Sequence, residues 1–211
     1  MENQKFIITI NREAGTGGHE IAEKISEMLN IKLYDKTFLA HILEKFKLSP
    51  EEAENIKASK PNWWSEFCRF YKQFGTTAAI AYENFEVNSQ QLYYAEAKAL
   101  RDLAEQESCI IVGRTGFHVF KDTPGTIRIF LIADMEHRVE RMMKKRNLGE
   151  EEARKKIEEL DKARENFTKT FAGVSRYDAR NYDLVINVTH FTTDQVAQFL
   201  AENIRRKYPE R

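Results

Sequence analysis

The stretch KFIITINREAGTGGHEIAEK, Lys5 to Lys24, constrains this chain more than any other. A short apolar run rich in β-branched residues (Lys5 to Ile10) enters three closely spaced glycines, and these enter a helical pattern. From His19 to Leu29, the residues Ile21, Ala22, Ile25, Met28 and Leu29 share one helix face. A strand that turns through glycine into a helix has a specific chemical capacity. The first turn of a helix leaves backbone N–H groups unpaired, and the aligned peptide dipoles add partial positive charge there. Glycines let the preceding loop wrap an anion with its N–H groups pointing inward. Gly15, Thr16, Gly17, Gly18 and His19 form the candidate cradle for a phosphate.

The full phosphate-loop pattern is G-x-x-x-x-G-K-[ST]. Laid on it, Arg12 takes the first glycine's place and Gly17 the last. Gly18 stands at the lysine, and His19 or Glu20 at the magnesium-binding hydroxyl. Two readings therefore stand side by side: an anion site, or a tight turn with no ligand. Arg12, at the strand's carboxyl edge, offers a guanidinium in place of the lysine's point charge. The bland alternative pairs Arg12 with Glu13 or Glu20 and leaves His19 as a surface cap.

Four further strands are predicted, at Ile31 to Asp35, Ser108 to Gly113, Thr126 to Ala133 and Tyr182 to Val188. Near-continuous apolar runs suit strands buried on both faces. Helical patterns alternate with them, at Asp35 to Phe46, from Ser49, at Gln91 to Gln106 and at Met135 to Arg146 with Asp134 as cap. A long charged helix begins near Gly149, and Thr193 to Lys207 closes the chain. The alternation predicts an α/β fold: a three-layer sandwich with a five-stranded parallel sheet and helices on both faces. Residues 36–107 would be a helical insertion and residues 145–176 a lid-type segment.

Other strand ends should then contribute to a site. Asp35 can orient an acceptor, hold Mg2+ through water, or cap the following helix. Arg114, directly after a buried strand, stands where an acceptor phosphate would dock. Val112 ends that strand, with no adjacent acid for a metal. In the arginine-rich segment from His137, most charges read as a solvated helix pair laced with i,i+4 ion pairs. Arg146 and Arg164 keep a functional reading, as arginines of a flap that closes over a triphosphate. The aromatics Trp63, Trp64, Phe67, Phe70, Tyr71 and Phe74 read as a subdomain core or a homodimer face.

Charge narrows the partners. With 33 basic and 33 acidic side chains, the whole-chain field draws in neither nucleic acid nor an acidic membrane. No apolar run approaches the roughly 20 residues that cross a bilayer. MENQKF runs directly into the first strand, Cys68 and Cys109 form no paired motif, and a cytoplasmic setting is expected.

These residues together resemble the cytidylate kinase-like proteins of bacteria. IITINREAGTGGHEIAEKISEMLNIKLYDK is similar to their opening, which favours SRExGSGGxxIA over the full phosphate loop. IIVGRTGFHVF resembles their GR strand, IRIFLIADMEHRVERMM the strand and helix before their lid, DKARENFTKTF their lid exit, and YDLVINVTHFTTDQVAQFL their closing strand and helix. The resemblance implies a P-loop NTPase-type kinase fold and transfer of the γ-phosphoryl of ATP to CMP or dCMP with Mg2+. It also implies that Gly15 to His19 cradle donor phosphates, that Asp35 and Arg114 face the acceptor, and that Arg146, Asp161 and Arg164 belong to the lid. Relative to true cytidylate kinases, the loop lysine, the following hydroxyl and the acid before GR are replaced by Gly18, His19 or Glu20, and Val112. Hence a second reading: a nucleotide- or anion-binding regulatory module without turnover.

Overall fold

A computed structural model describes residues 5–35 and 89–208. The helices expected between Asp35 and Phe46 and from Ser49, and the aromatic cluster from Trp63 to Phe74, lie outside the described residues. The chain divides into two compact units, Met1–Leu33 with Ala104–Arg211, and Tyr34–Leu103.

In the larger unit, β1 (Ile7–Arg12) leads through the glycine loop into α1 (Gly18–Leu29). Five strands then order as β2-β3-β1-β4-β5, with β2 at Lys32–Tyr34, β3 at Cys109–Val112, β4 at Thr126–Ile132 and β5 at Leu184–Asn187. β1 pairs in parallel with β3 and β4, and β4 in parallel with β5. Parallel pairing requires a crossover between consecutive strands, which the helices supply. Strand alternation then divides the side chains. Ile8, Ile10, Ile110, Val112, Ile127, Ile129 and Leu131 bury against α1 and the C-terminal helix α6 (Thr193–Lys207). Phe130 points to the other face, where Phe117 of the short helix α3 (Gly116–Val119) and Tyr182 meet it.

β1 runs two residues further than its apolar run, because Asn11 and Arg12 continue the register opposite Phe130 and Leu131. β5 departs from the expectation of burial on both faces. It is the outermost strand, and Leu184 and Val185 are exposed. Asp183 pins its start by accepting the Arg128 backbone N–H at 2.8 Å and the Arg128 Nε and Nη2 at 3.1 and 2.9 Å.

After β4, α4 (Met135–Arg146) and α5 (Glu150–Ala172) form a helical hairpin, joined through Asn147 in the left-handed conformation. Asp134 occupies the N-cap position of α4 without a capping bond from its side chain. At α6 the cap is complete: Thr192 and Gln195 satisfy each other's backbone N–H groups in a capping box. In the smaller unit, α2 (Ser89–Ala104) buries Tyr93, Ala97 and Leu100, together with Glu96.

Candidate anion site at the end of β1

The glycine loop is built from within. Glu13 continues the line of β1 by donating its N–H to the Leu131 carbonyl at 3.0 Å. Its carboxylate accepts the Ala133 N–H at 3.2 Å. Thr16 is buried and donates its hydroxyl to the Glu13 carbonyl at 2.9 Å, so that hydroxyl is spent on closing the loop. Gly17 is the N-cap of α1, with φ at 78°, and no side chain among the described residues caps the helix there. A left-handed N-cap favours glycine, and the first turn of a helix is the part whose N–H groups lack intrahelical partners. His19 turns its ring toward Glu23, with Nε2 at 3.3 Å from the carboxylate.

Asp161 of α5 lies against the loop's backbone. One oxygen accepts the Ala14 N–H at 2.8 Å, and the other accepts Nη1 of Arg138 at 2.6 Å. Arg138 also reaches the Ala14 carbonyl at 3.4 Å and approaches the Glu13 carboxylate at 3.8 Å. Arg164 donates to Asp161 at 3.4 Å and to the Arg12 carbonyl at 3.3 Å. Arg176 donates to that same carbonyl and lies 3.6 Å from Asp161. The carboxylate is thus shared by three guanidinium groups. Arg138 and Asp161 are 7% and 8% exposed and Arg176 only 2%, so these charges are largely removed from water. Such burial is tolerated only when every charge is paired.

Arg176 is the extreme case. Its guanidinium lies over the rings of Phe130 and Tyr177, 5.6 and 5.3 Å from their centroids. Burial, and then the neighbouring charge of Arg164, make its proton easier to lose, while Asp161 opposes them. Its carbonyl accepts the Tyr182 hydroxyl at 2.7 Å, and Tyr182 in turn accepts Asn11 Nδ2 at 2.9 Å. Burial pushes the Tyr182 phenol up to about 12, so it remains a neutral donor at working pH. Around the end of β1, the cations Arg12, Arg138, Arg164 and Arg176 face the acids Glu13, Asp161 and Glu165, the last of which accepts the Arg176 N–H at 3.0 Å.

Of the residues expected to act, Gly15 to His19, Arg12, Asp161 and Arg164 come together here. Arg12 passes Gly18, where a β-carbon would stand 2.8 Å from its Cγ, and ends at Gly113, where a β-carbon would collide with its Nη1. It therefore spans from the loop to the end of β3. Arg114 follows Gly113 in the left-handed conformation, with φ at 54°. Arg146 ends α4 and is exposed. Asp35 follows β2 and belongs to the smaller unit.

Arg138 corrects the reading of α4 as a solvated helix at this position. It shares a face with Met142, four residues on, and both are buried. The spacing of Arg138 from Met142 is the one local signal in the sequence that could have placed Arg138 inward, although Arg146, at the same spacing from Met142, is exposed. Arg176 lies in the irregular stretch after α5, where no periodicity points to it. Among the described residues, no cluster of His, Cys, Asp or Glu has the grouping needed to hold a metal ion, and no helix is long and apolar enough to cross a membrane.

The model of the cytidylate kinase-like family matches residues 7–190. A cytidylate kinase of Methanopyrus kandleri is 24% identical over 203 residues, covering 92% of this chain and 90% of that protein. A uronate isomerase of Corynebacterium glutamicum is 34% identical over 106 residues, half of this chain; the match spans only 20% of that protein's length. Among solved structures, an uncharacterized protein of Eubacterium ventriosum superposes with a TM-score of 0.71 at 23% identity, over 95% of this chain and 98% of that one. A shikimate kinase of Acinetobacter baumannii, in complex with shikimate, gives 0.53 at 12% identity, over 99% and 97%.

Proposed function

The chain belongs to the cytidylate kinase-like family, and from that premise we propose that it transfers the γ-phosphoryl group of ATP to a nucleoside monophosphate, with CMP and dCMP the first acceptors to test. The observation that carries this reading is the glycine-opened start of α1 at Gly17, with the Arg12 stem passing Gly18 on its way to Gly113 and Arg164 held on the Arg12 carbonyl.

In phosphoryl transfer, an acceptor oxygen attacks the γ-phosphorus as the bond to the bridging β,γ-oxygen breaks. The transition state spreads negative charge over the equatorial oxygens, so catalysis is largely positioning and charge stabilisation. The backbone N–H groups from Gly15 to His19 would hold the donor phosphates. Thr16 would keep the loop in shape through its bond to Glu13. Arg12, reaching from the loop to Gly113, would sit between donor and acceptor. Arg164 would stabilise charge on the transferring group, and Arg146 would join it from the lid-type segment. Arg114 would orient the acceptor.

The acids of the described site do not form a metal-binding set. Glu13 is engaged by Ala133 and Arg138, Glu20 by Thr193 and Arg141, and Asp161 by its arginines. Mg2+ entering with ATP would keep phosphate and water oxygens as its main ligands, as this small, strongly hydrated cation usually does.

A second reading has its own observation. The lysine, hydroxyl and acid positions hold Gly18, His19 or Glu20, and Val112, which fits a nucleotide-binding regulatory module without turnover. ADP release from Mg-ATP against a panel of monophosphates and nucleosides separates the two. Acceptor-dependent release supports the kinase; ATP binding with no release under any acceptor supports the regulatory module.

A further inference from the structure

Arg141 lies on α4 three residues beyond Arg138, and its guanidinium donates to Glu20 of α1. The position of this ion pair is informative. A β-carbon added to Gly17 would stand 2.8 Å from both the guanidinium carbon and Nη2 of Arg141. The guanidinium therefore rests on the backbone that opens α1. In a full phosphate loop, the next residue supplies the lysine, and here that residue is Gly18. Arg12 is committed elsewhere, since its tip has travelled to Gly113 at the end of β3.

Glu20 is itself fixed. It accepts the Thr193 hydroxyl at 2.6 Å at the start of α6. Lys24 lies 4.0 Å away but is engaged with Asp194. The Thr193 bond, aided by the charge and hydrogen bond of Arg141, holds the Glu20 carboxyl below the usual carboxylate range, although burial pushes it up by more than the Arg141 charge alone pulls it down. It is therefore ionised at neutral pH and available to tether a cation. Arg141 keeps 29% side-chain exposure, enough to meet a ligand from solvent.

We propose that Arg141 supplies the positive charge the loop lacks, contacting the donor's phosphate oxygens over Gly17, and that Glu20 is the positioning residue that tethers it there. This rests on the kinase reading above and assigns the lysine's task to a residue some 120 positions away in sequence. A guanidinium suits the place, because its planar fork can keep one N–H on Glu20 while presenting others to phosphate.

The test uses the full chain and two probes, Mg-ATP and inorganic tripolyphosphate, each titrated by calorimetry. Arg141→Ala is expected to weaken both by the same factor, about ten- to hundredfold, the worth of one charge-assisted hydrogen bond. Arg141→Lys should recover most of that loss. Glu20→Gln should weaken ATP binding several-fold with little change in kcat, because it loosens Arg141 without removing it. Should Arg141→Ala fail to fold in thermal unfolding, Arg141→Gln takes its place and keeps the packed stem. Unchanged binding of both probes in the Arg141 variant overturns the inference. So does a loss confined to ATP, which would place Arg141 on the nucleoside instead. A wild-type chain that binds neither probe overturns the kinase reading itself, a result distinct from these two.

Discussion

Replacing Asp161 with Asn is the most informative perturbation of the scaffold beneath the site. The change keeps size and keeps an acceptor for the Ala14 N–H, but removes the charge that, among the described residues, Arg138, Arg164 and Arg176 share. Breaking a buried ion pair from one side costs about 3–5 kcal/mol, because the partner is left uncompensated. Here the partners include Arg138, 7% exposed, and Arg176, 2% exposed, so the upper half of that range is expected. Against a typical domain stability of about 5–15 kcal/mol this is a large fraction. For a chain of this size it corresponds to a fall in Tm of about 8–20 °C. Thermal unfolding by calorimetry reads it directly. A companion variant, Asp161→Leu with Arg138→Met, should cost less than Asp161→Asn alone, since it removes one of the stranded charges along with the carboxylate. A shift under about 2 °C for Asp161→Asn, or a double variant worse than the single, would refute the claim that this carboxylate anchors the loop to the helical hairpin.

Other expectations follow from individual groups. The Asp183 carboxyl is held below its ordinary value, near 3.9, chiefly by its bond from Arg128. Its contribution to stability is therefore present above about pH 4 and lost as pH falls below that, through the folded-state value. Denaturant midpoints measured from pH 6 to pH 2.5 should fall less steeply below pH 4 in Asp183→Asn than in the wild type; equal slopes would count against it. Burial pushes the Cys109 thiol up to about 12, so peptide mapping after brief exposure to a thiol reagent at pH 8 should find it unlabelled in the native chain and labelled on unfolding. Rapid native labelling would contradict its place in β3. Gly17→Ala should destabilise by about 1–2 kcal/mol, from left-handed strain and from crowding Arg141, with a shift in Tm as the readout.

The parts of this fold that were legible in sequence are those governed by local pattern. α4 and α6 run over the residues their apolar spacing and end signals indicate, Met135–Arg146 and Thr193–Lys207. The glycine loop announced its own position, because few other sequences turn a buried strand directly into a helix. Burial was less legible. β5 has the same apolar texture as β4, yet it is exposed, since sequence texture does not say which strand ends a sheet. The charged groups were the hardest to place. Arg138 and Lys144 look alike in a basic helix, and only the shared face with Met142 separates the buried arginine from the exposed lysine. Arg176 finds its place through tertiary contacts to Arg12, Phe130 and Asp161, distant in sequence, and nothing local encodes them. The pairing of Arg141 with Glu20 across 121 residues is equally non-local, which is why a search for the missing lysine within the loop turns first to Arg12.

The most direct measurement of the central claim is ADP release from Mg-ATP by the full chain, with CMP, dCMP and the other monophosphates supplied in turn. The expected result is release that depends on one of these acceptors and falls at least tenfold in Arg164→Ala, with the phosphorylated acceptor recovered in equal amount. Folded protein that binds ATP yet releases no ADP with any acceptor would contradict it and leave the regulatory reading in its place.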